Sequence, residues 1–123
     1  MATLLISHPL FLEHDTGPYH PERPDRLRAV LAALDLPAFA GLVRSEAPNA
    51  SMDELVRVHP TDYVEAILGI RPGPGERIHV DGDTVMGEKS AEAVCRAAGA
   101  MVAAVEAVME GRVQTAFAAV RPP

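Results

Sequence analysis

At 123 residues, with 48% hydrophobic and 23% charged, the chain has the composition of one globular domain and is short for an α/β fold wound on both sides of a sheet. Eleven basic against seventeen acidic residues leave a formal charge of -6, and the only lysine is Lys89. That balance offers no basic stripe to displace counterions from phosphate, so it argues against nucleic acid and mildly favours a cationic substrate. No stretch reaches the roughly 18 uncharged apolar residues of a membrane span. The first apolar run, Leu4-Leu-Ile6, stops at Ser7-His8-Pro9 and does not read as a secretory signal, so the cytoplasm is the expected compartment, without a membrane partner.

Thr3 to Ser7 reads as a first buried strand. Pro9 to Pro24 has almost no periodicity and reads as a long loop, rich in proline, with Gly17, His14, His20 and three acidic residues. Structureless loops of that length tend to carry function. Pro24-Asp25 opens a helix with Leu27, Val30, Leu31 and Leu34 at helical spacing, limited by Pro37. Gly41-Leu-Val43 begins an edge or second strand, closed by Pro48-Asn49. Ser51 and Glu54 form a capping box for a helix that turns Leu55 and Val58 inward and ends at Pro60. Thr61 to Leu68 adds a helical turn or two, with Tyr63 and Ile67 packed on one inward face. After the Arg71–Gly75 loop, Ile78-His-Val80 reads as a short strand before Asp81-Gly-Asp-Thr84.

Ser90 is expected to cap a long helix running to about Met109 and stopped by Gly111. Its charges, Glu92, Arg96, Glu106 and Glu110, keep to a narrow stripe, so the helix calls for burial on most of its circumference. The other elements do not supply that much cover. Ala116 to Val120 reads as a buried strand, and Arg121-Pro122-Pro123 as the stiff turn leading off its C-terminal end. Catalytic loops of open α/β sheets begin at such ends. By this reading the chain is the front part of an enzyme that stops just before its chemistry.

The candidate site residues cluster in the first loop. The spacing from His14 to His20 carries no fixed metal geometry, so a rigid, hydrogen-bonded pocket wall is preferred to metal ligation or to a solvated loop. Pro21 and Pro24 stiffen the segment, and Glu22 is suited to a bidentate pair with an arginine, Arg23 and Arg26 being close by. Asp81-Gly-Asp-Thr84 begins like a calcium loop but lacks the later glycine and distal glutamate. Asp83 either accepts hydrogen bonds from a substrate backbone at a pocket mouth or satisfies nearby N–H groups. His8 and His59 read as structural, and Cys95, the single cysteine, as core packing. No phosphate loop, dinucleotide fingerprint or zinc-binding Cys pair is present. Residue by residue, no complete set of catalytic groups or metal ligands can be named.

Taken in order, the pieces resemble a known family: His14-Asp-Thr-Gly17, His20-Pro-Glu-Arg-Pro24 with Arg26, Glu54-Leu55 with His59 and Tyr63, Asp83-Thr84, Ser90, Ala97-Ala-Gly-Ala100, and Ala116 through Arg121-Pro122-Pro123. Essentially the whole chain is similar to the N-terminal third of the zinc-dependent amidohydrolases of the histone deacetylase family. The nearest flavour is that of prokaryotic deacetylases, acetoin-utilisation proteins and acetylpolyamine amidohydrolases. The resemblance implies an arginase/deacetylase-type α/β fold, a mostly parallel eight-stranded sheet flanked by helices, of which this chain is an incomplete N-terminal portion. It implies that Arg-Pro-Pro runs on into a Gly-His-His motif carrying the acid–base histidines. The zinc ligands and an acyl-polarising tyrosine would follow further on, so zinc belongs to the intact enzyme and no cofactor to this chain. His14, Asp15, His20, Glu22, Arg23 and Arg26 would then form a pocket wall that also helps set substrate access and subunit contacts. Asp83 would sit at the rim, and Arg121, Pro122 and Pro123 would be active-site scaffold. The implied substrate is an acetyl-lysine or an acetylated polyamine. The readings of the chain itself, in order, are an inactive fragment, half of a split enzyme completed by a C-terminal chain, and a non-enzymatic interaction module; a homo-oligomer is compatible with each.

Overall fold

The computed structural model describes residues 2–123. Its elements run β1 (Thr3–Ser7), α1 (Pro24–Leu34), β2 (Val43–Glu46), α2 (Met52–Val56), α3 (Thr61–Leu68), β3 (Ile78–His79), β4 (Val85–Met86), α4 (Ser90–Met109) and β5 (Thr115–Ala118). Leu4, Leu5 and Ile6 are buried in succession, which requires cover on both faces of the strand. β1 accordingly lies in the middle of a parallel sheet ordered β2-β1-β5, with Leu4 opposite both Val43 and Ala116. The core joins these strand residues to Phe11, Leu27 of α1 and the alanines Ala93, Ala100, Ala104 and Ala107 of α4.

The proline-rich segment after β1 is shorter as a loop than its sequence implies. Pro9–Glu13 forms a 3₁₀ turn that buries Leu10 and Phe11, started by the Leu10 N–H donating to His8 Nδ1 at 3.0 Å. Pro9 at its first position needs no backbone donor there. Irregular backbone therefore runs only from His14 to Arg23. In α1, Pro24 occupies the first turn as expected, Leu27 is buried, and Val30, Leu31 and Leu34 pack against the core.

The Ser51–Glu54 capping box is present: the Glu54 N–H donates to Ser51 Oγ at 3.1 Å and the Ser51 N–H to Glu54 Oε1 at 2.8 Å. Val58, expected inward, is instead exposed, because α2 ends at Val56 and helical spacing no longer applies beyond it. α3 is rotated from its expected setting. Val64 is its buried residue, which leaves Tyr63 half exposed, with its ring 5.3 Å from that of His59. The Ile78 segment is a strand as read, but paired with β4 in a hairpin that the sequence did not announce.

Ser90 is the first residue of α4 rather than its cap, and Lys89 before it makes no capping bond. The helix lays its small residues on the sheet. An added Cβ at Gly99 would lie 2.0 Å from the Pro48 carbonyl oxygen, so the Pro48–Ala50 segment crosses the helix in backbone contact. There the Ala50 N–H donates to the Cys95 carbonyl at 2.9 Å. The larger residues Met101, Val105 and Met109 point outward and are exposed. β5 is an edge of the sheet, with Phe117 half exposed.

Candidate functional site

The strand that ends in Ala118 delivers Arg121 into the interior, where its side chain is fully buried. Arginine does not shed its charge inside proteins, so such burial needs a counter-charge and acceptors for every N–H. Both are supplied. Nε donates to Glu22 Oε1 and Oε2 at 2.9 and 3.1 Å, and Nη2 to Glu22 Oε2 at 2.7 Å and to the Glu22 carbonyl at 3.2 Å. Nη1 donates to the carbonyls of Phe11 and His14, each at 2.8 Å. Arg26, one helical turn beyond Glu22, adds Nε to Glu22 Oε1 at 3.2 Å and Nη2 to the Val120 carbonyl at 3.2 Å. Burial pushes the Glu22 carboxyl up, but the hydrogen bonds and charge of Arg121, then those of Arg26, outweigh it and hold the group below the usual carboxylate range. The expected Glu22–arginine fork exists, and its partner is Arg121 from the far end of the chain.

The loop above this pair is tied down residue by residue. The Gly17 N–H donates to Asp15 Oδ1 at 2.9 Å, and Gly17 takes φ +93°, a left-handed value that glycine adopts freely. Thr16 Oγ1 donates to the Glu22 carbonyl at 2.7 Å. The Glu22 N–H donates to His20 Nδ1 at 3.0 Å, which leaves Nε2 as the donor to the Asp83 carbonyl at 2.6 Å. Asp81 Oδ1 accepts the N–H groups of Asp83 and Thr84, both at 2.8 Å. The turn-satisfying role thus belongs to Asp81, and Asp83 is an exposed residue on the lining of a cavity.

That cavity has a volume of about 460 Å³. Its buried end is formed by His14, Thr16, Val85 and Met86, and its open end by Tyr63, Thr84, Asp83 and Pro123; His20, Glu22, Ile67, Val94 and Pro122 complete the wall. His14 Nδ1 meets Ser90 Oγ at 2.6 Å, and the Gly87 N–H donates to the same oxygen at 2.7 Å. Desolvation, and then the Arg121 charge, lower the His14 pKa to about 4, so the ring is neutral.

The structure therefore gathers His14, His20, Glu22, Asp83, Pro122 and Pro123 around one cavity, with Arg121 directly behind its wall. Asp15 and Arg23 instead line a separate depression of about 380 Å³ with Arg28 and Arg77. There Asp15 pairs with Arg77 at 3.0 Å, a hydrogen bond that holds its carboxyl low, and Arg23 pairs with Asp25 at 2.9 Å. Arg26 braces Glu22 from outside. Sequence reasoning missed Ser90 as the partner of His14 and placed Tyr63 in the core rather than on the cavity. Only the local acid, proline and glycine pattern of the loop carried a readable signal. Among the described residues, no group of three His, Cys, Asp or Glu side chains converges to hold a metal ion. No helix among them is long and apolar enough to cross a membrane.

A model of the histone deacetylase domain matches residues 20–123. A probable deacetylase of Archaeoglobus fulgidus is 30% identical over 126 aligned positions, covering 100% of this chain and 34% of that protein. A histone deacetylase-like amidohydrolase of Pseudomonas aeruginosa is 33% identical over 105 positions, covering 85% of this chain and 27% of that protein. The crystal structure of the HDA15 HD domain superposes with a TM-score of 0.86 at 31% identity, over 99% of this chain and 35% of that one. The chain thus spans about a third of the length of these relatives. Its parallel strands and flanking helices are part of an arginase/deacetylase-type α/β fold. With most of its residues matched by the domain model, the chain belongs to the histone deacetylase family.

Proposed function

We propose that this chain supplies the substrate-pocket wall and active-site scaffold of a zinc-dependent amidohydrolase that removes acetyl groups from acetyl-lysine or acetylated polyamines. By this reading it corresponds to the N-terminal third of the domain, ending next to the Gly-His-His motif, and works in the cytoplasm. The observation that carries it is the Arg121–Glu22 pair, which fastens the end of the β5 segment to the loop bearing His14 and His20. Residues beyond Pro123 would start at the cavity they complete. His14, His20, Glu22 and Asp83 then act as wall and rim, Arg26 as a brace, and Asp15 and Arg23 as the outer surface of the same loop. The described residues offer no zinc-ligand set, so metal binding and acid–base chemistry fall to parts of the domain outside them.

Purified 123-residue chain is expected to show no sub-micromolar zinc site by calorimetry and no hydrolysis of an acetyl-lysine reporter. One tight zinc site with measurable turnover would falsify the assignment of this chain to wall and scaffold. A split enzyme is the second reading, favoured by the unpaired β5 edge and the exposed Met101, Val105 and Met109 of α4. Adding a polypeptide that corresponds to the remaining two thirds of the relatives should then restore zinc-dependent turnover.

A further inference from the structure

Two spaces beside the β3–β4 hairpin share one wall. The cavity of about 460 Å³ and a second depression of about 420 Å³, lined by Tyr19, Arg77 and His79 among others, have Thr16, His20, Asp83 and Val85 in common. Thr16 and Val85 are buried, so they form the base of that wall. Its exposed part is a single bond between the first loop and the hairpin, from His20 Nε2 to the Asp83 carbonyl at 2.6 Å.

Little else holds the hairpin there. β3 and β4 form a two-stranded sheet of their own, and residues 77–84 are all exposed. A hairpin with two residues per strand has marginal stability by itself. Among the described residues, two side-chain hydrogen bonds tie residues 77–84 to other parts of the fold: His20 to the Asp83 carbonyl, and Arg77 to Asp15 at 3.0 Å. The second is an ion pair exposed on both sides, which contributes little. Beyond Thr84 the chain is fixed, because Val85, Met86 and Gly87 are buried and a Cβ at Gly87 would lie 3.1 Å from the Asp15 carbonyl oxygen.

The His20 bridge needs a neutral ring. Nδ1 accepts the Glu22 N–H at 3.0 Å, so the single ring proton sits on Nε2 and goes to Asp83. A second proton would set an N–H on Nδ1 against the Glu22 N–H, and the two bonds could not both survive. His14, Glu22, Tyr63 and Asp83 line the cavity with His20, and Arg77 and His79 the second depression. Asp15, Asp81 and Arg121 are bonded in turn to Arg77, to the Asp83 N–H and to Glu22. Glu22 and Asp15 are thus matched by arginines. The Asp83 carboxylate has no hydrogen-bond partner among the described residues, and a charged ring that turns to it gives up the carbonyl.

We propose that residues 77–84 form a proton-operated lid: with His20 neutral, its bridge to the Asp83 carbonyl closes the wall between the cavity and the second depression, and with His20 charged the bridge breaks and the two spaces join into one groove. Such a lid would serve any occupant of the cavity, so it goes beyond the deacetylase reading and does not depend on it.

The test uses the 123-residue chain with ¹³C-labelled valine and threonine methyl groups and a neutral, soluble nitroxide, compared at pH 7.5 and pH 5.5, an interval in which histidine side chains gain charge. At pH 7.5 the Val85 and Thr16 methyls should be shielded. At pH 5.5 their relaxation by the nitroxide should rise about 2- to 10-fold, the scale on which one hydrogen bond shifts an equilibrium. Val64 and Val113, buried elsewhere, should stay shielded at both. His20→Ala should give the raised value at either pH. His20→Gln, which places an amide N–H near the position of Nε2 and does not titrate, should give the shielded value at either pH, and His79→Gln should respond as the unmodified chain does. Shielding that persists in His20→Ala, no pH response in the unmodified chain, a response that survives His20→Gln or vanishes in His79→Gln, or a rise shared by Val64 and Val113 overturns the lid. None of these readouts requires zinc or turnover, so failure of the deacetylase reading would register separately, in the hydrolysis assay.

Discussion

Replacing Glu22 by Gln leaves the Arg121 guanidinium fully buried and still charged, with one neutral amide oxygen where a carboxylate made three contacts. Removing one partner of a buried pair costs about 3–5 kcal/mol, because the other charge remains uncompensated. Arg121→Met is expected to cost less, about 2–3 kcal/mol. Its orphan, Glu22, keeps Arg26 and some access to water, although the carbonyls of Phe11 and His14 lose their donor. Arg26→Ala removes a half-exposed contact and should cost no more than about 1 kcal/mol. The order of the three, rather than any single value, carries the argument. With a urea slope of about 2 kcal/mol/M, Glu22→Gln should lower the unfolding midpoint by about 2 M, followed by circular dichroism. The double replacement Glu22→Met with Arg121→Met should recover part of that loss, since no charge is left in the interior. If Glu22→Gln and Arg26→Ala destabilise equally, Arg121 is not buried as described and the tie between β5 and the pocket wall is refuted.

Three further outcomes follow from packing and protonation. The His14 pKa is about 4 in the folded chain against 6.5 unfolded, so between these values the unfolded chain binds more protons and stability rises with pH. The contribution is fully present above 6.5, is lost as pH falls toward 4, and amounts to at most about 3 kcal/mol; urea midpoints between pH 4.5 and 7.5 should slope accordingly, and His14→Gln should flatten that slope. Gly99→Ala should destabilise the chain despite a gain of about 1 kcal/mol in helix propensity, because its Cβ would meet the Pro48 carbonyl at 2.0 Å; a stabilised variant in thermal melts would contradict the crossing. On α4, Ala107→Leu should cost about 1–3 kcal/mol by overpacking while Val105→Gln stays within about 0.5 kcal/mol, and the reverse order in chemical denaturation would mean that the helix is turned the other way.

The fold was legible where the sequence signals are local. The apolar runs at Leu4 and Ala116 became neighbouring parallel strands, and Pro24 and the Ser51–Glu54 box started their helices. The readings failed where a helix ended early or turned by one residue, as at Val58 and Tyr63, since spacing alone does not say which apolar residue faces in. α4 shows the same limit from the other side. Its hydrophobicity all round announced a need for burial, but not that alanines would take the inner face and Met101, Val105 and Met109 the outer one.

The site divides along the same line. The His14–Arg23 loop reads as a rigid wall because Asp15, Gly17, His20 and Glu22 satisfy one another within a few residues, and such bonds leave a pattern of side-chain types in sequence. Arg121 and Ser90 leave none, because their partners lie 99 and 76 residues away. A parallel sheet brings together the C-terminal ends of strands that are far apart in the chain, with crossovers between them. Residue types at such a site can be named from sequence, but their partners are settled only when the crossovers are folded. Glu22 illustrates both halves: its chemistry called for an arginine, two arginines lay within four residues of it, and the one that it buries came from the end of β5.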